Sequence, residues 1–116
     1  MLVVDDDASI RTLVAEALED AGYTVSTAEG GTEALDMVAR TVPDGIILDI
    51  WMPSLDGFDF VRTMRADEKT RSVPIVAMSA AYPERAALDI GVQEFLAKPF
   101  EVGELLAAVE RALATS

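Results

Sequence analysis

Apolar runs that each stop on a polar residue of a different kind recur along this chain. Leu2-Val3-Val4 runs into Asp5-Asp6-Asp7, Ile46-Ile47-Leu48 stops at Asp49, Ile75-Val76-Ala77-Met78 at Ser79, and Phe95-Leu96-Ala97 at Lys98, with Pro99 behind it. Short, solidly apolar runs are how strands read when a sheet is covered on both faces. In a parallel sheet every strand C-terminus lies on one edge, and ligands bind in the crevice outside that edge. Carboxylates, a hydroxyl and an ammonium that are far apart in sequence are therefore expected in one pocket, a set able to hold a divalent cation and a phosphoryl group.

Between these runs the periodicity turns helical. Residues 2–6 read as a buried strand, and Asp7 or Ser9 can cap a helix whose apolar stripe is Ile10, Leu13, Val14, Ala17, Leu18 and Ala21, stopped by Gly22. A short strand over 24–28 has Val25 facing inward, and a helix follows from about residue 32 to 40. The third strand is expected over 45–49, a loop from Met52-Pro53 to Asp56-Gly57, a helix over 57–66, a charged loop over 68–72 and a strand over 73–78. Pro83 suits the first turn of a fourth helix ended by Gly91. Strand five is 94–97, and the last helix, over 101–114, carries Val102, Leu105, Leu106, Val109 and Leu113 on its apolar side. Five strands alternating with five helices predict an α/β fold, a doubly wound five-stranded parallel sheet in one domain over residues 1–116.

Composition narrows the chemistry. With no cysteine and no histidine, disulfides, thiol catalysis, Cys-type zinc sites and the usual general base are excluded. The net charge of −12 argues against direct nucleic-acid binding, which needs clustered Lys and Arg, and favours cations or basic partners. The apolar runs are too short to span a membrane and no signal peptide is present, so a cytoplasmic protein without membrane attachment is expected. The chain starts directly at its first strand, as a trimmed piece of a longer protein would.

Asp49 is the candidate nucleophile, since a carboxylate can attack phosphorus to form an acyl phosphate. Asp5 and Asp6 are the candidate metal ligands, because Mg2+ takes oxygen ligands and three close carboxylates without a cation repel one another. Asp7 is read as a helix cap. Ser79 can donate to one phosphoryl oxygen and Lys98 can place a positive charge by another. An X-Pro bond after Lys98 can be cis and aim its side chain.

Taken in order, Val3-Val4-Asp5-Asp6, Pro43-Asp44-Gly45-Ile46-Ile47-Leu48-Asp49, Met52-Pro53, Asp56-Gly57, Ser79-Ala80 and Lys98-Pro99-Phe100 resemble the receiver domain of two-component response regulators, across essentially the whole chain. The resemblance implies a flavodoxin-like receiver fold with strand order 2-1-3-4-5. It implies Asp49 as phosphoacceptor, taking the group from a phosphohistidine on a sensor histidine kinase or phosphotransfer protein. It further implies Mg2+ (with Mn2+ or Ca2+ as substitutes) bound by Asp6, by Asp5 directly or through water, by Asp49 and by the backbone carbonyl of Trp51. Ser79 and Phe95 would form the switch, Ser79 moving to the phosphate and Phe95 turning inward, to act on an output domain or effector protein. Without the resemblance, Phe95 reads as a plain core aromatic.

Two departures from the family pattern stand out. Trp51 places a large side chain two residues after the nucleophile, where it can shield the phosphoryl group from water or serve as recognition surface; the sequence leaves both open. The path from Ser79 to Lys98 is about three residues shorter than is usual in the family, judged by the resemblance, so the fourth helix is expected to be short or displaced. In the family the fourth helix, fifth strand and fifth helix form the output or dimer face, which leaves a homodimer open. Two other readings compete. A receiver-like interaction module would never be phosphorylated. A haloacid-dehalogenase-type phosphatase would use Asp5-x-Asp7, but leaves Asp49, Met52-Pro53 and Lys98-Pro99-Phe100 to coincidence. An EF-hand loop fails because Ile10 stands at the required turn glycine, and a flavin-binding flavodoxin fails because no Ser/Thr/Gly-rich phosphate loop follows the first strand of this chain.

Overall fold

The three central strands of the protein alternate their side chains between two hydrophobic layers, and this decides the architecture. In the computed structural model, which describes residues 1–50, 57–80 and 91–114, the strands are β1 Leu2–Val4, β2 Ser26–Ala28, β3 Ile46–Asp49, β4 Ile75–Ser79 and β5 Glu94–Ala97. All pair in parallel, in the order β2-β1-β3-β4-β5. Leu2, Val4, Ile46, Leu48, Ile75, Ala77 and Phe95 point to one layer, whereas Val3, Ile47, Val76, Met78 and Leu96 point to the other. Both layers are apolar, which is why these runs carry no polar alternation.

Four helices among the described residues cover the sheet: α1 Ala8–Asp20, α2 Gly31–Arg40, α3 Gly57–Ala66 and α4 Val102–Ala114. Ala34 and Val38 of α2 with Phe60, Val61 and Met64 of α3 close the first layer. Val14, Ala17 and Leu18 of α1 with Leu105, Ala108, Val109 and Ala112 of α4 close the second. The flavodoxin-like receiver arrangement expected from the sequence is therefore present. The fourth of the five expected helices, and the loop holding Trp51, Met52 and Pro53, lie outside the described residues. No helix among the described residues is long and apolar enough to cross a membrane.

Several boundaries differ from expectation, each for a local reason. β4 starts at Ile75 rather than residue 73, because the Val73 amide donates into a turn to the Thr70 carbonyl and Pro74 has no N–H to give. β1 ends at Val4, since the Asp5 carboxylate accepts from the Asp7 amide and turns the chain off the ladder. The apolar stripe of α1 is narrower than its spacing suggested. Leu13 is 44 % exposed, because the layer beneath α1 is filled by Val14, Ala17 and Leu18. Val102 is also exposed at the start of α4. Gly22 has φ of +100°, which fits its place just past α1 and would strain any other residue.

Candidate functional site

The strand order brings the polar endings together. β1 and β3 are neighbours in the centre of the sheet, so Asp5, one residue past β1, lies beside Asp49, the last residue of β3. Asp5, Asp6 and Asp49 each offer a carboxylate oxygen, and these oxygens lie within 4.8 Å of one another. Their burial is unequal: Asp5 is 0 % and Asp49 5 % exposed, while Asp6 faces solvent.

The Lys98 ammonium sits between the two buried members, 3.2 Å from Asp5 Oδ2 and 3.4 Å from Asp49 Oδ2. Burial pushes the Lys98 pKa down, but the adjacent charges and hydrogen bonds of Asp49 and Asp5 outweigh it, so the pKa stands above its ordinary value and the ammonium is charged at neutral pH. The sequence placed Lys98 at the site but not the bridge it forms. The bridge arises because β5 is anchored to β4 up to its end, the Lys98 amide donating to the Ser79 carbonyl at 3.0 Å. The Lys98–Pro99 peptide is cis, one of the two isomers open to an X-Pro bond.

The remaining oxygens of Asp5 are also engaged. Its Oδ1 accepts the Asp7 amide at 2.9 Å, and its main-chain carbonyl accepts Arg11 Nη1 at 2.8 Å. Arg11 also faces Glu29 at 3.8 Å, so a second cation beside the site is partly offset by a carboxylate. Sequence reasoning missed Arg11. The signal was its place one helical turn beyond Asp7, on the side of α1 that meets the strand end. Asp7 is a cap, its Oδ1 accepting from the amides of Ser9 at 2.9 Å and Ile10 at 3.3 Å.

Ser79 ends β4 and is 2 % exposed. The ladder sets Asp49 opposite Met78 and Ala77 opposite Phe95. Since side chains alternate along β4, Ser79 lies on the same sheet face as Ala77, and Phe95 packs partly buried against that layer. Ser79 and Phe95 thus share one face on adjacent strands. Trp51 lies outside the described residues.

The donor set fits a hard divalent cation. It is all oxygen, from three clustered carboxylates, two of them buried, with the Lys98 ammonium between the buried pair. Soft metals that prefer thiolate or imidazole have no ligand in a chain without Cys or His.

Comparison with known proteins agrees with this arrangement. The response regulator receiver domain family matches residues 1–110. Response regulator MprA of Mycobacterium leprae (strain TN) is 40 % identical over 114 residues, covering 97 % of this chain and 50 % of the relative. The chain thus spans about half the length of the curated relatives it matches. Among solved structures, the receiver domain of NtrX from Brucella abortus superposes with a TM-score of 0.92 at 34 % identity, covering 99 % of this chain and 98 % of that one. The chemotaxis protein CheY4 of Vibrio cholerae gives 0.88 at 36 % identity, covering 96 % and 95 %. A buried Asp5 and Asp49 bridged by Lys98 at the C-terminal edge of a 2-1-3-4-5 sheet, together with these matches, place the chain in the family of response regulator receiver domains of two-component systems.

Proposed function

We propose that this receiver domain accepts a phosphoryl group on Asp49 from a phosphohistidine of a sensor histidine kinase or phosphotransfer protein. The observation that carries this reading is the Lys98 ammonium shared between Asp5 and Asp49 within a group of three carboxylates. An Asp49 carboxylate oxygen attacks phosphorus, the P–O bond forms as the P–N bond to the histidine breaks, and the imidazole leaves with the electron pair. Lys98 can pass from the Asp49 carboxylate to the incoming phosphoryl oxygens, which keeps a positive charge on the transferred group. Ser79 supplies a hydroxyl to another oxygen. Asp5, Asp6 and Asp49 would hold Mg2+, with Mn2+ or Ca2+ as substitutes and the Trp51 carbonyl as a further ligand. When bound, the cation offsets the clustered negative charge and polarises the phosphoryl oxygens.

The readout follows from the face that Ser79 shares with Phe95. Phosphorylation adds negative charge and acceptor oxygens at one point, so bonds to Ser79 and Lys98 exist only in the modified state. A state in which Ser79 has moved toward the phosphate leaves space on the Phe95 side, and the equilibrium of Phe95 shifts by that differential free energy. The surface around β5 then presents a different shape to an output domain or effector.

The test is labelling of the purified chain with a small phosphodonor such as acetyl phosphate plus Mg2+, located by mass spectrometry. The expected result is one phosphoryl group on Asp49, absent without Mg2+ and in Asp49→Asn. Labelling on Asp5, with steady turnover of phosphate esters, would instead identify a haloacid-dehalogenase-type phosphatase. No mass gain, and no change in the fluorescence of Trp51 with Mg2+ and beryllofluoride, would leave an interaction module.

A further inference from the structure

Gly57 is glycine for lack of room, and the room is taken by the backbone next to the nucleophile. Its conformation does not require glycine, since only Gly22 and Gly91 have positive φ among the described residues. A Cβ on Gly57 would lie 2.5 Å from the carbonyl oxygen and 2.8 Å from the carbonyl carbon of Ile50, and closer still to the Ile50 Cα. These are main-chain atoms that cannot swing aside. The same two residues are joined by a hydrogen bond, the Gly57 amide donating to the Ile50 carbonyl at 2.9 Å.

Neither side of this contact is free to yield. The Ile50 amide donates to the Met78 carbonyl at 3.0 Å, and the Ile50 side chain is fully buried. Gly57 opens α3, which is held in the same layer by Phe60, Val61 and Met64. Close-packed interiors transmit such a displacement instead of absorbing it. The residue before Ile50 is Asp49, whose carboxylate stands 3.4 Å from Lys98.

We infer that Gly57 is a positioning residue for phosphoryl transfer: its bare Cα and its bond to the Ile50 carbonyl fix the main chain that aims the Asp49 carboxylate. The inference rests on the proposed phosphoacceptor role of Asp49. Gly103, within α4, is a helix glycine with open surroundings, where an added Cβ meets nothing within 4 Å, so Gly103→Ala is the matched control.

The experiment compares wild type, Gly57→Ala and Gly103→Ala as folded chains, well below their melting temperatures, for the rate of Asp49 labelling by acetyl phosphate across a Mg2+ titration. A shift of several tenths of an ångström in the attacking carboxylate predicts a fall of about tenfold in the maximal rate of Gly57→Ala, by the sensitivity of near-attack geometry to misplacement. Gly103→Ala should label as wild type does. A Gly57→Ala chain that melts earlier but labels at the wild-type rate would overturn the inference and leave Gly57 a packing residue. If Gly57→Ala does not fold, hydrogen exchange on the wild-type chain decides. Coupling between two sites is reciprocal, so Mg2+ with beryllofluoride must slow exchange of the Gly57 amide more than that of the Thr41 amide, which bonds to the Met37 carbonyl at the far end of α2. Equal slowing of the two would refute the positioning role. Absence of labelling in the wild type is a separate result, which rejects the phosphoacceptor reading itself.

Discussion

Replacing Lys98 by methionine keeps the aliphatic stem and removes only the charge. In the wild type the ammonium lies 3.2 Å from Asp5 and 3.4 Å from Asp49, whose side chains are nearly inaccessible, while its own side chain is 20 % exposed. At an effective dielectric of about 20, each contact is worth about 5 kcal/mol of gross attraction, and the carboxylates repel by about 3 kcal/mol if their oxygens are at the 4.8 Å limit. Desolvation of Lys98 cancels much of the attraction, and the usual cost of removing one member of a buried pair is about 3–5 kcal/mol. Because Lys98 is partly exposed, solvent screening discounts that range by about 1 kcal/mol, and Lys98→Met should lose about 2–4 kcal/mol without divalent cations. With a urea slope of about 1.5 kcal/mol/M, the midpoint falls by about 1–3 M. Mg2+ should recover much of the loss, since a cation among Asp5, Asp6 and Asp49 replaces the missing positive charge. The assay is urea unfolding by circular dichroism at neutral pH, with chelator or with saturating Mg2+. A Lys98→Met chain as stable as wild type in chelator, or one that Mg2+ helps no more than it helps wild type, would refute the reasoning.

Other perturbations have sharper local causes. Asp7→Ala removes the side-chain acceptor for the Ser9 and Ile10 amides and should cost about 1 kcal/mol, seen in thermal melts, with labelling at Asp49 retained. Arg65 spreads its guanidinium over the carbonyls of Gly91, Arg71 and Val73 and over Gln93 Oε1, whose oxygen also accepts the Ile75 amide. Arg65→Lys cannot reproduce that fork, so it should lose about 2 kcal/mol or more in denaturant unfolding; a lysine variant as stable as wild type would contradict this. Trp51→Asn should speed loss of the phosphoryl group from Asp49 if the indole shields it from water. Equal decay of the two phosphorylated proteins would assign Trp51 to a recognition surface instead.

How far the site was legible can be traced residue by residue. Asp49, Ser79 and Lys98 were visible because an apolar run that stops abruptly on a polar residue marks where a buried strand leaves the core. Asp5 and Asp6 were visible as a pair, but their unequal burial was not: the structure buries Asp5 and exposes Asp6. Burial depends on which way each side chain leaves the strand end, and the Asp5 carboxylate is held by its local bond from the Asp7 amide and by Lys98, a partner 93 residues away that no local pattern supplies. Leu13 followed the spacing of a buried stripe yet is exposed, because periodicity gives the direction of a helix face but not the width of the layer under it.

By itself the sequence determined the alternation of strand and helix, the two-faced burial of the strands and the kinds of group at their ends, because these follow from hydrophobic pattern over a few residues at a time. The tertiary structure decided which ends are neighbours and at what distance. The 2-1-3-4-5 order sets β1 against β3, so Asp5 and Asp49 can share one ammonium that arrives from residue 98. The packing of α3 in the layer that buries Ile50 sets the Gly57 main chain against Ile50, beside Asp49. The first is a distance between segments remote in the chain and the second depends on how α3 seats against the end of β3, so hydrophobic pattern over a few residues specifies neither.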